Sequence, residues 1–451
     1  LVIDLAKSSP AAISPARRVA FDILLRVEDG AYASVLLATR EQALSVLDRS
    51  LCHELVMGVL RWQLWLDKLI EYYSNRKVGE LDLAVRIILR LGLYQLRFLS
   101  RVPPSAAVNE SVKLVNFARL RSASGLVNAV LRRATREPDV DPASKIDDPT
   151  DRIAVATSHP SWLIERWIKA IGRDEAQAFA QSNNKPAPTA FRVIRNRAKE
   201  SEVIDQLQQA GAELIPSAIT AGAWRISGAG SLLAELVAEG QVYVQDEASQ
   251  LVAAVLQSQP NQLVLDLCAA PGGKTTQIAD SIRDSGAIVA SDLHEHRLRT
   301  VIQTAKEHRL SNIHCVALDG LLPLPWAENA FDRVLVDAPC SGTGTLRRNP
   351  EIRWRITPAD IQDLSERQRR LLFNAAGAVK PGGRLVYSTC SVEIDENEDV
   401  RKAFLENNTA FRPAELPVNP ALKTSVSTAR TWPHRHGTDG FFICAFERKS
   451  Q

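Results

Sequence analysis

Residues 263–277 read LVLDLCAAPGGKTTQ, Leu263 to Gln277: an apolar run holding one acid, a glycine turn, then a polar stretch. Leu263, Val264, Leu265 and Leu267 suit a parallel strand covered on both faces, with Asp266 near its carboxyl end. Gly272 and Gly273 let the backbone turn tightly and approach a ligand with no Cβ in the way. A helix starting there offers unpaired N–H groups to that ligand. The Gly-Gly-Lys fits neither the P-loop spacing nor the GxGxxG fingerprint, and many strand-to-helix turns carry two glycines, so alone it marks a turn.

The flanking chain gives the turn a context. From Gln245 onward strands and helices alternate, the pattern of a doubly wound parallel α/β sheet. Strands are expected at Leu263 to Asp266, Ala287 to Asp292, Ile313 to Asp319, Arg333 to Asp337 and Arg384 to Cys390. Each apolar run ends in a polar or reactive side chain. Ligands of open α/β sheets bind beyond the carboxyl ends of the strands, so Asp266, Asp292, Asp319, Asp337 and Cys390 are expected at one crevice. Asp292 follows Lys274 by 18 residues, near the spacing at which a carboxylate takes ribose hydroxyls, and Asp319 is positioned for an adenine amino group. A nucleoside-containing cofactor is indicated, and the missing fingerprints argue against NAD and ATP.

Upstream of residue 140 the pattern changes. Residues 1–140 carry 20 Lys and Arg against 14 Asp and Glu, which concentrates the positive charge of a nearly neutral chain at this end. From Ser14 to about Arg136 the apolar residues recur at helical spacing, which predicts an all-α bundle. Arg86, Arg90, Arg97 and Arg101 fall on one face of a helix that Pro103 and Pro104 stop. With Lys113, Arg119, Arg121, Arg132, Arg133 and Arg136 they outnumber a lone acid, Glu110, and suggest RNA as the partner, against the alternative of a solvated surface. Residues 137–160, with EPDVDP, DDP and HP, read as a linker. Mixed strand and helix signals then predict a small α+β domain, with no aromatic pair for stacking RNA bases.

Length and composition add limits. A chain of 451 residues, 45% hydrophobic and 24% charged, suits about three globular domains. The six cysteines, Cys52, Cys268, Cys315, Cys340, Cys390 and Cys444, have no metal-type spacing, so no metal is expected. Free thiols suggest a reducing cytoplasm, and no apolar run is long enough to span a membrane. The initial Leu1, with Met57 the one methionine, reads as a non-AUG start or a trimmed terminus.

Two resemblances extend this reading. AAVNESVKLV (Ala106 to Val115) and SGLVNAVLRR (Ser124 to Arg133) resemble the NusB-like helical domain of bacterial RNA-binding factors. CAAPGGK (Cys268 to Lys274), VLVDAPCSGTGTLRRNPEIRW (Val334 to Trp354) and GGRLVYSTCS (Gly382 to Ser391) resemble the NOL1/NOP2/Sun family of S-adenosylmethionine-dependent RNA cytosine C5-methyltransferases over residues 245–451. The combination is similar to the bacterial members that modify 16S ribosomal RNA. It implies a NusB-like domain over 1–145, a small ferredoxin- or RRM-like α+β domain over 146–240, a Rossmann-like methyltransferase domain over 241–451, and a monomer. It also implies S-adenosyl-L-methionine as cofactor, held by Cys268, Ala269, Ala270, Pro271, Gly272, Gly273 and Lys274 with Asp292, Asp319 and Asp337.

The chemistry agrees with the resemblance. Carbon 5 of cytosine is too poor a nucleophile to attack a sulfonium methyl unaided, so a thiolate must first add at carbon 6. The resemblance gives that role to Cys390, after Thr389, and gives Cys340 the task of assisting product release. Asp337 is in position to bond the N3 and amino edge of the base and offset charge on the ring. The group that removes the C5 proton stays open. Tyr243 to Gln250 resembles the family segment packed on the methionine end of the cofactor, and Pro433 to Phe442 its last hairpin, closed by Asp-Gly. His434 and His436 read as structural or phosphate-facing, and Arg347, Arg348 and Arg353 as a grip on the substrate backbone or surface residues. DNA cytosine methyltransferases carry Glu-Asn-Val where this chain has Ser-Thr-Cys, and amino methyltransferases carry an aromatic where it has Cys340. A non-catalytic RNA-binding assembly factor, or the same chemistry on another RNA, is the alternative.

Overall fold

The computed structural model describes residues 13–283 and 285–450; the reading of Leu1 lies outside them. The described residues form two compact units, one from 13–185 together with 346–355, the other from 186–345 and 356–450.

The first unit is helical: α1 (Pro15–Glu28), α2 (Ala33–Arg40), α3 (Val46–Arg61), α4 (Gln63–Ser74), α5 (Leu83–Phe98), α6 (Pro104–Phe117), α7 (Ser124–Arg136), α8 (Pro149–Thr157), α9 (Ser161–Ile171) and α10 (Arg173–Asn183). The expected bundle over 14–136 is present, with α5 enclosed: every residue from Ile87 to Gln95 is buried. Gly58 of α3 meets it so closely that a Cβ there would lie 2.0 Å from the Tyr94 ring.

That enclosure corrects the basic face predicted for α5. Arg90 is 3% exposed, and its guanidinium donates to both Asp67 oxygens at 2.7 and 2.8 Å and to Glu28 at 3.0 Å. A charge taken from water needs such partners, so the arginine holds helices together and does not face RNA. Arg97 likewise donates to the Tyr73 hydroxyl and, at 3.1 Å, to the Glu137 carbonyl. Arg101, Arg119, Arg121, Arg132 and Arg136 are exposed. The predicted linker is also corrected, because 149–157 forms α8. Asp148 caps it by accepting from the Asp151 N–H at 2.8 Å, Pro149 occupies its first turn, and Ile153, Ala154 and Val155 are buried.

The second unit begins with the sheet of the expected small α+β fold, whereas the helices expected with it near 162–171 and 174–181, α9 and α10, group with the first unit. Strands β1 (Thr189–Val193), β2 (Glu213–Pro216), β3 (Ala223–Ser227) and β4 (Val242–Val244), with α11 (Glu200–Gln209) and α12 (Gly230–Ala238), form an antiparallel sheet in the order β2-β3-β1-β4. Phe191, Leu207, Leu236 and Val242 lie in its core.

Next come α13 (Glu247–Val255), β5 (Leu263–Asp266), α14 (Gly273–Ser281), β6 (Ala287–Asp292), α15 (Glu295–Glu307), β7 (Ile313–Ala317) and β8 (Phe331–Asp337). The chain then gives residues 346–355, with the one-turn helix α16 (Ile352–Arg355), to the helical unit. It continues with α17 (Pro358–Ala378), β9 (Val379–Thr389), α18 (Glu398–Asn407), β10 (Phe411–Pro413), β11 (Lys423–Ser425), β12 (Thr428–Arg430), α19 (Pro433–His436) and β13 (Phe442–Arg448). The large sheet runs β11-β12-β13-β9-β8-β5-β6-β7, with β10 on β13.

Its β9-β8-β5-β6-β7 part is parallel, as expected, whereas β13 and β12 add antiparallel. The sheet is therefore mixed, a Rossmann-like core extended at one edge. Strand limits differ from expectation at β7, at β8, which starts at Phe331, and at β9, which starts at Val379 and ends at Thr389 so that Cys390 lies just beyond it; one connection differs as well. β7 ends at Ala317, so Asp319 lies in the following turn, where its Oδ1 accepts from the Leu321 N–H at 2.9 Å. The connection from β12 to β13 is no tight Asp-Gly hairpin: residues 431–441 include α19, and Gly440 bonds back to Gly344, its N–H donating to that carbonyl at 2.8 Å.

Candidate active site

Strand order reverses at β5, with β6 on one side and β8 on the other, and the carboxyl ends of β5 and β8 open on a cleft. Tyr243, Gln245, Ser249, Asp266, Cys268, Ala269, Ala270, Pro271, Gly273, Lys274 and Asp337 line it. Gly272, at φ +107°, makes the turn that starts α14, and a Cβ there would lie 3.1 Å from the Val301 backbone. At Gly273 a Cβ would come within 3.1 Å of the Tyr243 ring, which closes the loop from the other side.

Asp266 ends β5 with 1% exposure. Its Oδ2 accepts from the Thr275 hydroxyl at 2.7 Å, while the buried Oδ1 has no partner. Burial, with some repulsion from Asp337, pushes its carboxyl up to about 7. Asp337, at the end of β8, accepts from Lys274 Nζ at 2.7 Å and from the Ser388 hydroxyl at 2.7 Å. Burial opposes the charge of Lys274, but the Asp337 carboxylate outweighs it and the ammonium pKa is raised.

Past β8 and β9 lie the two cysteines. Cys340 Sγ and Cys390 Sγ are 3.3 Å apart, both half-buried. The neighbouring Cys390 sulfur and burial push the Cys340 thiol well up, so this member of the pair holds its proton. The loops bearing them interlock: the Gly344 N–H donates to the Cys390 carbonyl at 2.9 Å, and a Cβ on Gly344 would lie 1.9 Å from the Gly440 carbonyl oxygen.

Residues 253–447 match the family model described as 16S rRNA methyltransferase RsmB/F, 14–136 match the NusB family, and 159–232 match the RsmF/B-like ferredoxin-like domain. A probable ribosomal RNA small subunit methyltransferase B of Bacillus subtilis is 34% identical over 96% of this chain and 98% of its own. One from Synechocystis is 37% identical over 96% and 99%. The chain belongs to the RsmB/F family of 16S rRNA methyltransferases. The crystal structure of PH0851 superposes with a TM-score of 0.83 at 28% identity, covering 99% of this chain and 100% of that one.

Family membership makes the protein an S-adenosylmethionine-dependent methyltransferase acting on ribosomal RNA. The cleft suits that cofactor, with a glycine turn at the start of α14 and a carboxylate, Asp266, whose Oδ1 has no partner. Asp292 and Asp319 lie outside its lining. They are adjacent, since the Leu318 N–H donates to the Asp292 carbonyl at 3.1 Å, and Asp292 is paired with Arg297 at 3.2 Å. Among the described residues no helix is long and apolar enough to cross a membrane.

Other sequence-derived candidates take structural places. Arg353 is fully buried in the helical unit and donates to Asn184 Oδ1 at 2.9 Å and to the carbonyls of Ser158, Asn183 and Arg61 at 3.1 to 3.4 Å. Arg347 is 4% exposed, and its carbonyl accepts from Arg61 at 2.9 Å. The expected grip on the substrate backbone is therefore corrected for these two. His436 accepts from the Trp432 N–H at 2.9 Å, a local structural bond. Cys52 and Cys444 are buried and Cys315 is half-buried. Sequence reasoning missed Ser388 and Glu396; the acid-rich run after Cys390 (SVEIDENEDV) was the available signal for the second.

Proposed function

We propose that the protein transfers a methyl group to carbon 5 of a cytidine in 16S ribosomal RNA, through a covalent bond between Cys390 and carbon 6. The observation that carries this reading is the 3.3 Å separation of the two sulfurs beside the Lys274–Asp337 pair at the cleft. S-adenosylmethionine, when bound, supplies an electrophilic methyl group. The loop from Cys268 to Lys274 would hold it with Asp266, and Asp292 and Asp319 at the neighbouring strand ends are proposed for its ribose and adenine.

Cys390, as thiolate, adds to carbon 6 and makes carbon 5 nucleophilic. Asp337 accepts from the amino edge of the base, competing with Lys274, and offsets charge on the ring. After methyl transfer a base takes the C5 proton, the C–H electron pair re-forms the C5–C6 double bond, and the carbon–sulfur bond breaks to return the Cys390 thiolate. Cys340, which keeps its proton, donates a hydrogen bond to that departing sulfur. The target base must be unstacked, at a cost of a few kcal/mol that is least in unpaired RNA. We assign RNA binding to the NusB-like part, propose sequence-domain limits near 145 and 240 although residues 146–185 group with the helical unit, and expect a cytoplasmic monomer.

Nucleoside analysis of 16S ribosomal RNA treated with the protein and the methyl donor tests the reading. The expected product is 5-methylcytidine. Methylation at nitrogen 4, or of another base, overturns it.

A further inference from the structure

Between β9 and α18 lies a fully buried acid that the proposed chemistry does not use. Glu396 is 0% exposed, and one carboxylate reaches both cysteine loops. Its Oε1 accepts from the Ser341 N–H at 2.8 Å and from Gln368 Nε2 at 2.9 Å. Its Oε2 accepts from the hydroxyls of Ser341 and Ser391. Ser341 follows Cys340 and Ser391 follows Cys390, so the residue after each sulfur is tied to the same two oxygens.

The surroundings brace this arrangement. Gln368 Nε2 also donates to the Pro339 carbonyl at 2.9 Å, and the Tyr387 hydroxyl donates to Gln368 Oε1 at 3.2 Å. Asn397, next in sequence, accepts from the Thr389 hydroxyl at 2.6 Å and donates to the Ser391 carbonyl at 3.0 Å. No cation lies within ion-pair distance of Glu396 among the described residues. Burial pushes its carboxyl above the ordinary range, and the donors from Ser341, Ser391 and Gln368 oppose that shift. Two oxygens that together accept four hydrogen bonds from both cysteine loops and from Gln368 fix those loops to each other.

We infer that Glu396 is a positioning residue for the release step, a single buried carboxylate that sets the separation of the Cys340 and Cys390 sulfurs by holding both of their loops. Its negative charge adds to the influences that keep Cys340 protonated, after the Cys390 sulfur and burial. This inference rests on the two-cysteine reading.

The test is Glu396→Gln in the full chain, with 16S ribosomal RNA and S-adenosylmethionine, run beside Cys340→Ala on a denaturing gel. The amide places an N–H₂ group where two hydroxyls donate, so the loops must shift. Turnover is expected to fall about 100-fold, the scale of misplacing a reacting group by an ångström. A covalent protein–RNA band is expected to accumulate, while cofactor affinity stays within about twofold of wild type. Turnover like wild type without a band overturns the inference. A band in Cys340→Ala but none in Glu396→Gln overturns it alone, and no band in either overturns the two-cysteine reading with it. Should Glu396→Gln lose cofactor binding, Ser391→Ala decides: a band supports the clamp, and wild-type behaviour overturns it.

Discussion

On one side of residue 345 the chain after β8 carries Cys340 to Thr345; on the other, residues 346–355 are packed in the helical unit. Both stretches are rich in buried polar groups, and they use them differently. Around Cys340, hydroxyls and a carboxylate fix the backbone while both sulfurs stay half-buried and reachable. Around Arg353, a guanidinium is sealed by backbone carbonyls and one amide oxygen, with Trp354 Nε1 donating to the Leu60 carbonyl at 2.9 Å and Ala33 N–H donating to Glu351 at 2.9 Å. Satisfied hydrogen bonds can hold a reactive group in place or hold an arginine out of reach, and residue type alone does not say which.

The contrast is sharpest when each side is broken. Cys390→Ala should lower methyl transfer about 10,000-fold or more, the scale of removing a nucleophile, with cofactor affinity and unfolding midpoint unchanged. Equilibrium binding and single-turnover assays check it. Arg353→Met should do the reverse: it strands several buried acceptors and lowers stability by about 3 kcal/mol or more, read in denaturant unfolding. If Arg353→Met leaves stability intact, the packing role assigned to the second stretch is wrong.

Smaller effects are expected within the second unit. Cys340→Ala should slow turnover roughly 100-fold and leave stability within about 1 kcal/mol of wild type. Rapid quench with gel analysis should show normal formation of the bond to RNA and slow loss of it. Asp266 gives an effect that is small at any one pH and shows as a slope. Its folded-state carboxyl titrates near 7, above its ordinary value of about 4, so the folded protein binds that proton more tightly than the unfolded chain. Stability from this group is full below pH 4 and is lost as pH rises towards 7, on the order of 1 kcal/mol per pH unit. Asp266→Asn should remove that slope in unfolding curves measured across pH, and should abolish any gain in cofactor affinity over the same interval.

The strand-turn-helix at 263–277 was legible because apolar run, acid and paired glycines have one compact solution. The two cysteines were picked out by the family resemblance of residues 334–354 and 382–391, and the chain past β8 and β9 brings their sulfurs together. The burial of Arg90 was not legible: helical spacing assigns it to a face, but only packing with Asp67 and Glu28 decides that the face is enclosed. Arg353 was misread for a related reason, since its acceptors come from segments near residues 61, 158 and 184. Glu396 contacts Ser341 across 55 residues, a closure no local pattern reveals. The helix at 149–157 was hidden by turn-forming residues that serve there as its cap.

The central claim is that Cys390 forms the bond to the base and Cys340 helps break it. Mass spectrometry of peptides from the protein–RNA adduct trapped with Cys340→Ala tests it most directly. A modified cytidine is expected on the peptide bearing Cys390. A nucleotide on any other residue, or full turnover by Cys390→Ala with no adduct at all, would contradict it.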